Sequence, residues 1–244
     1  MNYLAFDIET AKITADGNNL EAERPLGICC WATAFVVSGQ TEIVTGHGFD
    51  DDGNPSSRMS IADCAHLVWL LQKSVNEFGF TLLTHNGVGF DLDILAEESR
   101  LHAECVELAM NSVDTMLQFH CMKGFPVGLD AIAKGMGLSG KTEGMSGSLA
   151  PVLWAQGEYE KVLTYVGQDA RSTLEVALET EKAGVVRWIS KSGKLNAVTL
   201  RGWMTVREAL KLPLPYTGWM KPVEGMPAPM TREKLTGWMA GARA

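Results

Sequence analysis

Two carboxylates near the N-terminus, Asp7 and Glu9, are the first residues whose types and spacing could do chemistry. They lie in the mainly apolar run Tyr3–Thr10, which predicts a β-strand. Side chains alternate between the faces of a strand, so both acids point to one side, and Phe6 and Ile8 point to the other. Two neighbouring acids on an apolar strand repel each other and lose hydration. A bound divalent metal ion would offset that cost, and a solvated strand end is the alternative.

A second candidate group follows the apolar run 80–84, which predicts a buried strand. His85, Asn86 and two glycines predict a turn, and a helix is expected from Phe90 onward, so Asp91 lies where a strand passes into a helix. In α/β proteins, functional sites are built at such strand ends. The simpler explanations are a first-turn carboxylate that complements the helix dipole for Asp91 and a plain turn residue for Asn86.

A third candidate group lies within 158–182, whose composition predicts one long helix. Tyr165 and Asp169 are four residues apart and therefore lie on one face of it. Gly167 lies between them and costs about 1 kcal/mol of helix propensity relative to Ala, which indicates close packing or a tight approach to the site. Such a pair is usually a surface feature, but here it follows two other acidic groups.

The remaining sequence predicts alternating strands and helices. The further expected elements are strands at 28–37 and 41–45, helices at 60–78 and 129–136, and a flexible Gly/Ser loop at 137–148. Asp114 is a candidate N-cap within 112–117, which predicts a short strand or the start of a helix. These elements indicate an α/β fold with a mixed central sheet, three antiparallel strands followed by parallel ones, flanked by helices.

Composition limits the class of protein. The chain has 244 residues, of which 46% are hydrophobic and 20% charged, and this is enough for one sizeable core. Its start lacks the basic and apolar regions of a signal peptide, and no run reaches about 18 apolar residues, which predicts a cytoplasmic protein that does not enter a membrane. The five cysteines include no Cys-x-x-Cys pair, which favours reduced, buried thiols over disulfides or a zinc site.

Charge divides the chain into an acidic body and a basic tail. Residues 1–181 hold 10 Lys/Arg and 26 Asp/Glu, a balance of −16, and residues 182–244 hold 11 and 3, a balance of +8. Such a tail predicts contact with a polyanion or docking on the acidic body. Lys191 and Lys194 are candidates for nucleic-acid contact. Base stacking and packing on the body are equal alternatives for the tail's tryptophans, Trp188, Trp203, Trp219 and Trp238.

The three acidic groups together resemble the exonuclease motifs of the DEDD (DnaQ-like) 3′-5′ exonuclease superfamily. The matching segments are Asp7-Ile8-Glu9, Asn86-Gly-Val-Gly-Phe90-Asp91 and Tyr165-Val-Gly-Gln-Asp169. Tyr165 is typical of the tyrosine branch, and the pattern is similar to the proofreading domain of family-B DNA polymerases. The likeness covers residues 1–183, and residues 184–244 are expected to form a basic, Trp-rich extension packed on the core.

The resemblance implies a ribonuclease H-like fold and a metal-dependent exonuclease that acts on the 3′ ends of single-stranded DNA, in preference to RNA. The expected ligands of two Mg²⁺ or Mn²⁺ ions are Asp7, Glu9, Asp91 and Asp169. The Tyr165 hydroxyl would orient the attacking water. The expected substrate contacts are Thr10, His85, Asn86, Phe90, Lys191 and Lys194. The alternative is a catalytically weak relative that binds nucleic acid or a partner protein, although such a module has no reason to keep four mutually repelling acids.

Overall fold

A five-stranded mixed sheet forms the centre of the computed structural model, which describes residues 2–14, 20–140, 144–218, 220 and 230–241. In chain order its strands are β1 (Tyr3–Thr10), β2 (Ile28–Val37), β3 (Gln40–His47), β4 (Thr81–Thr84) and β5 (Val113–Asp114). Their order across the sheet is β3-β2-β1-β4-β5. Neighbouring strands among β3, β2 and β1 are antiparallel, whereas β4 and β5 run parallel to β1. The predicted α/β fold with a mixed sheet is therefore confirmed.

Helices cover both faces of this sheet. One face carries α1 (Ile61–Asn76), α2 (Asp91–Ser99) and α3 (His102–Asn111), and α4 (Thr115–Lys123) follows β5. The other face carries α5 (Leu129–Met136), α6 (Ala150–Ala155) and α7 (Tyr159–Ala183). The tail adds a hairpin of β6 (Val185–Ile189) and β7 (Leu195–Thr199), followed by α8 (Val206–Ala209) and α9 (Arg232–Thr236). Within the described residues, each helix is too short or too polar to cross a lipid bilayer.

Strand β1 divides the core into two halves. Its side chains at Leu4, Phe6 and Ile8 belong to the core beneath α1 and α2, and those at Tyr3 and Ala5 belong to the core beneath α7. By the same alternation, the acids of β1 lie on the α7 face. The Tyr3 hydroxyl donates a hydrogen bond of 2.6 Å to Oε1 of Glu181, which ties the end of α7 to the start of β1. This hydrogen bond helps to fix the position of the long helix α7 relative to the central strand β1.

Gly167 shows how closely α7 approaches the sheet. A Cβ atom at this position would lie 3.1 Å from Cγ2 of Ile43 and 3.7 Å from Cγ2 of Thr45, both on β3. The close packing that the sequence predicted for this glycine is confirmed. A side chain at this position would crowd these methyl groups, so the glycine allows α7 to lie close to β3.

The tail packs on the body through its tryptophans. Trp203 and Trp238 are each 4% exposed and donate their indole N–H to the carbonyl oxygens of Ala177 and Val88. Trp188 packs edge-on against Phe119, with ring centroids 5.1 Å apart. These contacts favour packing over base stacking for these three residues. Trp219 lies outside the described residues, and all five cysteines are buried free thiols, as predicted.

Candidate active site

The end of β1 is shaped by a β-bulge. The register between β1 and β2 shifts between Glu9 and Thr10, and Cys29 is the extra residue on β2. The Cys29 thiol lies 3.4 Å from the carbonyl oxygens of both Glu9 and Thr10, within reach to donate a hydrogen bond. A bulge bends a strand and redirects its side chains. It therefore sets the direction in which Glu9 leaves the sheet.

Asp91 takes the place of a missing strand partner. The ladder between β1 and β4 ends at Ala5 and Leu83, and β4 itself ends one residue later at Thr84. Further along β1, the backbone N–H of Ile8 donates to Oδ1 of Asp91 at 2.9 Å. Asp91 is the first residue of α2, so the end of one strand and the start of one helix are joined through this carboxylate.

The environment of Asp91 is unfavourable for an isolated negative charge. Its side chain is buried, and burial raises the pKa of the carboxyl to about 7. That value already includes a lowering by the hydrogen bond from Ile8 and smaller increases from the negative charges of Asp114 and Asp169. A nearby cation would favour the ionised form and offset the cost of burying it.

Asp114 holds the turn that leads to Asp91. Its Oδ1 accepts from the backbone N–H of Asn86 at 3.1 Å and of Leu117 at 2.8 Å. Its Oδ2 accepts from the backbone N–H of Val88 at 2.9 Å and the hydroxyl of Thr84 at 3.2 Å. The predicted N-cap role at α4 is confirmed by the Leu117 contact. The same carboxylate also organises the turn 85–90, a role that the sequence pattern did not reveal.

His85 and Asn86 begin this turn with fixed orientations. The Thr115 hydroxyl donates to the carbonyl oxygen of Thr84 at 3.2 Å, so it accepts from Nδ1–H of His85 across 2.8 Å. This contact selects the Nδ1–H tautomer and leaves Nε2 as the acceptor. Asn86 has a φ of 76°, which asparagine tolerates better than most residues. Its Oδ1 is buried and accepts no hydrogen bond from any described residue.

Tyr165 and Asp169 reach the site from α7. They are 1% and 7% exposed, and the tyrosine hydroxyl is hydrogen-bonded to the Asp169 carboxylate. Burial raises the pKa of Tyr165 well above its ordinary value, and the negative charges of Asp169 and Glu9 raise it further. The phenol is therefore neutral at physiological pH. A neutral phenol can orient a water molecule by hydrogen bonding but is a poor general base.

These side chains meet at one cavity of about 280 Å³. The five candidate catalytic residues all line it: Asp7, Glu9, Asp91, Tyr165 and Asp169. Four of the six expected substrate contacts line it as well: Thr10, His85, Asn86 and Phe90. The other two, Lys191 and Lys194, lie instead in the turn that joins β6 to β7. The structure therefore brings together residues from three distant segments but leaves this lysine pair outside the cavity lining.

Besides Ile8 of β1, six further residues of the lining were not among the expected site residues: Lys12, Thr14, Leu20, Gly147, Ser148 and Pro151. The first three follow β1 directly, and their position after a functional strand is a signal that could have identified them. Gly147 lies in the loop that was expected to be flexible. A Cβ atom there would lie 3.8 Å from Oε2 of Glu9, so this loop forms a wall of the cavity.

A half-buried arginine fixes the wall that contains Leu20. Arg24 lies just beyond the short 3₁₀ helix Leu20–Glu23, and its guanidinium forms ion pairs with Asp93 at 2.6 Å and with Glu97 at 2.7 Å. Both acids belong to α2, the helix that begins with Asp91. This ion-pair network joins the segment after β1 to the element that presents the third acid of the site.

The acids of the cavity offer the hard oxygen donors that Mg²⁺ and Mn²⁺ prefer. As placed, no three or more His, Cys, Asp or Glu side chains among the described residues lie close enough together to hold one metal ion. Four carboxylates around one cavity repel each other, and cations between them would remove that repulsion. The donor chemistry therefore fits divalent cations, with side-chain movement required to bring the oxygens to each ion.

The site is thus built at the open end of β1 from a strand, a strand-to-helix turn and a late helix. Its composition is acidic, its tyrosine is neutral, and its turn is held by a buried carboxylate. Chemically, such an arrangement can bind hard cations and orient a water molecule beside them. In comparisons with known proteins, no family model matches this chain, and no curated protein matches it.

Proposed function

We propose that this protein is a metal-dependent 3′-5′ exonuclease of ribonuclease H-like fold that acts on single-stranded ends, with DNA preferred over RNA. One observation carries the proposal: three distant segments deliver four carboxylates and a tyrosine to a single cavity, namely Asp7, Glu9, Asp91, Tyr165 and Asp169. The sheet, with three antiparallel strands followed by two parallel ones, supports the fold assignment. The sequence pattern of the tyrosine branch supports the reaction.

The carboxylates would hold two Mg²⁺ or Mn²⁺ ions. The residues that would hold them are Asp7, Glu9, Asp91 and Asp169. When bound, such ions activate a water molecule and neutralise the charge on the phosphate and the leaving oxygen. The cavity of about 280 Å³ is near the lower end for ligand pockets and suits one terminal nucleotide, which favours removal of single nucleotides from an end.

The chain's own side chains would position water and substrate. The neutral hydroxyl of Tyr165 orients the attacking water, and the Asn86 amide oxygen, buried at the cavity, accepts a hydrogen bond from the terminal nucleotide. His85 and Phe90 contribute an acceptor and an apolar surface beside it. Lys191 and Lys194, in the exposed turn of the β6–β7 hairpin, contact phosphates of the strand outside the cavity.

End-labelled substrates test this proposal. Purified protein is incubated with single-stranded DNA or RNA labelled at the 5′ or the 3′ end, with Mg²⁺, Mn²⁺ or a chelator. We expect a stepwise ladder from 5′-labelled DNA, immediate release of a mononucleotide from 3′-labelled DNA, slower action on RNA and none with chelator. Binding of single strands without shortening under either metal would instead indicate a nucleic-acid-binding module.

Tyr165→Phe should lower kcat about 100-fold and leave KM nearly unchanged, because the water loses its orienting hydroxyl. Tyr159→Phe is the matched control, since Tyr159 lies on the same helix and packs against Trp154, with ring centroids 4.8 Å apart. The raised pKa of Tyr165 keeps the phenol neutral between about pH 6 and 9, so the pH profile of kcat should keep its shape in the variant. If the pH profile of Tyr165→Phe lacked one limb, the phenolate would be acting as a general base, which would contradict the orienting role.

A further inference from the structure

The segment of α9 and the 3₁₀ turn after it contacts the turn 85–90, which contains Asn86 and leads into Asp91. The indole N–H of Trp238, in the 3₁₀ turn after α9, donates a buried hydrogen bond of 2.6 Å to the carbonyl oxygen of Val88. Trp238 is itself held from α3, because Nε2 of His102 lies 2.8 Å from its carbonyl oxygen. Val88 and Trp238 are 150 residues apart, so the indole reaches the turn only when the tail packs on the body.

Leu235 adds an apolar contact to the same turn. A Cβ atom on Gly89 would lie 2.5 Å from Cδ2 of Leu235, so the leucine side chain fills the space beside that glycine. Leu235 is 4% exposed and belongs to the same core as Val88. The turn is therefore in van der Waals contact with α9 and hydrogen-bonded to the 3₁₀ turn that follows α9.

Arg232 anchors the start of α9. Its guanidinium donates to the carbonyl oxygens of Leu212 at 2.8 Å, Cys121 at 2.9 Å and Pro213 at 3.1 Å. Cys121 belongs to α4, the helix that Asp114 caps. Consequently, α9 and the carboxylate that binds the turn are attached to the same structural element.

The turn is thus fixed by hydrogen bonds to both its N–H groups and its carbonyl group. Asp114 accepts its N–H groups at Asn86 and Val88, whereas Trp238 donates to its carbonyl group at Val88. A peptide segment with donors and acceptors both bound in a buried setting has little freedom to shift. Removal of either side would loosen the segment that presents the amide of Asn86 and the carboxylate of Asp91.

We infer that Trp238 is a positioning residue of the candidate active site, which makes α9 and the 3₁₀ turn after it part of the catalytic unit. The expected effect of Trp238 on catalysis rests on the proposed function. Its expected effect on the mobility of the turn does not. Trp238 acts through Val88 and lies outside the cavity lining, so it contributes no group to the reacting atoms.

Trp238→Phe tests the inference against Trp203→Phe. Both tryptophans are 4% exposed, and both donate to a backbone carbonyl, but the acceptor of Trp203 is Ala177 on α7. We expect Trp238→Phe to lower kcat on single-stranded DNA about tenfold or more and to weaken Mn²⁺ binding by a similar factor. Trp203→Phe should leave both within about twofold of the wild type.

Amide hydrogen exchange gives a readout that needs no nuclease activity. In the metal-free protein, the amides of Asn86 and Val88 should exchange about tenfold faster in Trp238→Phe than in Trp203→Phe at equal global stability. Faster exchange in a protein without nuclease activity would support the positioning role and refute the proposed function. Equal exchange and equal Mn²⁺ affinity in the two variants would overturn the positioning role, whatever the activity of the wild type.

A milder pair of variants covers the case in which Trp238→Phe does not fold. Leu235→Val shortens the side chain that fills the space beside Gly89, and Leu200→Val is its control, with 5% exposure and a place in the other core. We expect faster exchange at Asn86 and Val88 in the first variant alone. Identical exchange in both would count against the role of the helix.

Discussion

We expect Asp7→Asn to abolish degradation from the 3′ end and to leave single-strand binding and the fold intact. Asp7 is one of the four carboxylates that would hold the metal ions, and the isosteric amide removes its charge without changing its volume. A bound ion contributes several kcal/mol of transition-state stabilisation, so kcat should fall by about 10³-fold or more. Initial rates on 5′-labelled single-stranded DNA, measured beside binding in the presence of Ca²⁺, give both quantities.

Glu42→Gln is the matched control for this variant. Glu42 is an exposed carboxylate on β3, two strands away from β1, and its loss removes one negative charge of the same kind. We expect wild-type rates from it. A similar loss of rate in both variants would mean that overall charge governs the reaction, and an active Asp7→Asn enzyme would exclude the metal role of this residue.

Asp114→Ala has the largest expected effect on stability. The change leaves four donors without their acceptor: the backbone N–H groups of Asn86, Val88 and Leu117 and the hydroxyl of Thr84. Each buried donor left unsatisfied costs about 1–3 kcal/mol, and partial relaxation reduces the sum, so we expect a loss of about 4 kcal/mol in the free energy of unfolding. For a chain of this size that corresponds to a fall in Tm of about 8–16 °C, measured by circular dichroism.

Ser60→Ala gives the cost of losing a helix cap alone, which separates the capping role of Asp114 from its role in the turn 85–90. Ser60 caps α1 by accepting a hydrogen bond from the backbone N–H of Asp63 at 3.1 Å, in an exposed setting. It does not line the cavity. Removal of such a cap costs about 1 kcal/mol. If Asp114→Ala costs no more than Ser60→Ala, the aspartate is a helix cap alone and the turn 85–90 holds itself.

Local pattern predicted most of the longer elements of the fold, but the ten-residue helix α3 was not among the expected elements. The expected bounds of β1, β2 and α5 agree with the structure, and those of α1 and β3 differ at their ends, where helices fray and strands extend along their partners. The segment 112–117 was left open between strand and helix, and it contains the end of one and the start of the other. Short elements such as α6 and α9 were missed because four to six residues carry too little periodicity.

The sequence also identified the residues of the candidate site but not what holds them. Acids at fixed spacing on a strand, at a turn and on a helix are visible without coordinates. The contacts of Asp91 with Ile8, of Asp114 with Val88 and of Trp238 with Val88 join positions that are far apart in the chain. Local propensity contains no information about such pairs, because they form only when separate elements pack together.

The tail shows the same division. Its charge and its tryptophans were evident from composition, yet an indole ring serves equally well as a core residue and as a stacking surface for a base. Only the folded chain decides between them, by burying Trp203 and Trp238 and supplying each with a carbonyl acceptor. The first carboxylate pair, Asp7 and Glu9, was determined by the sequence alone. The cavity that these acids share with Asp91 and Asp169 arises from tertiary packing, because it requires the end of the central strand, a turn and a helix to meet.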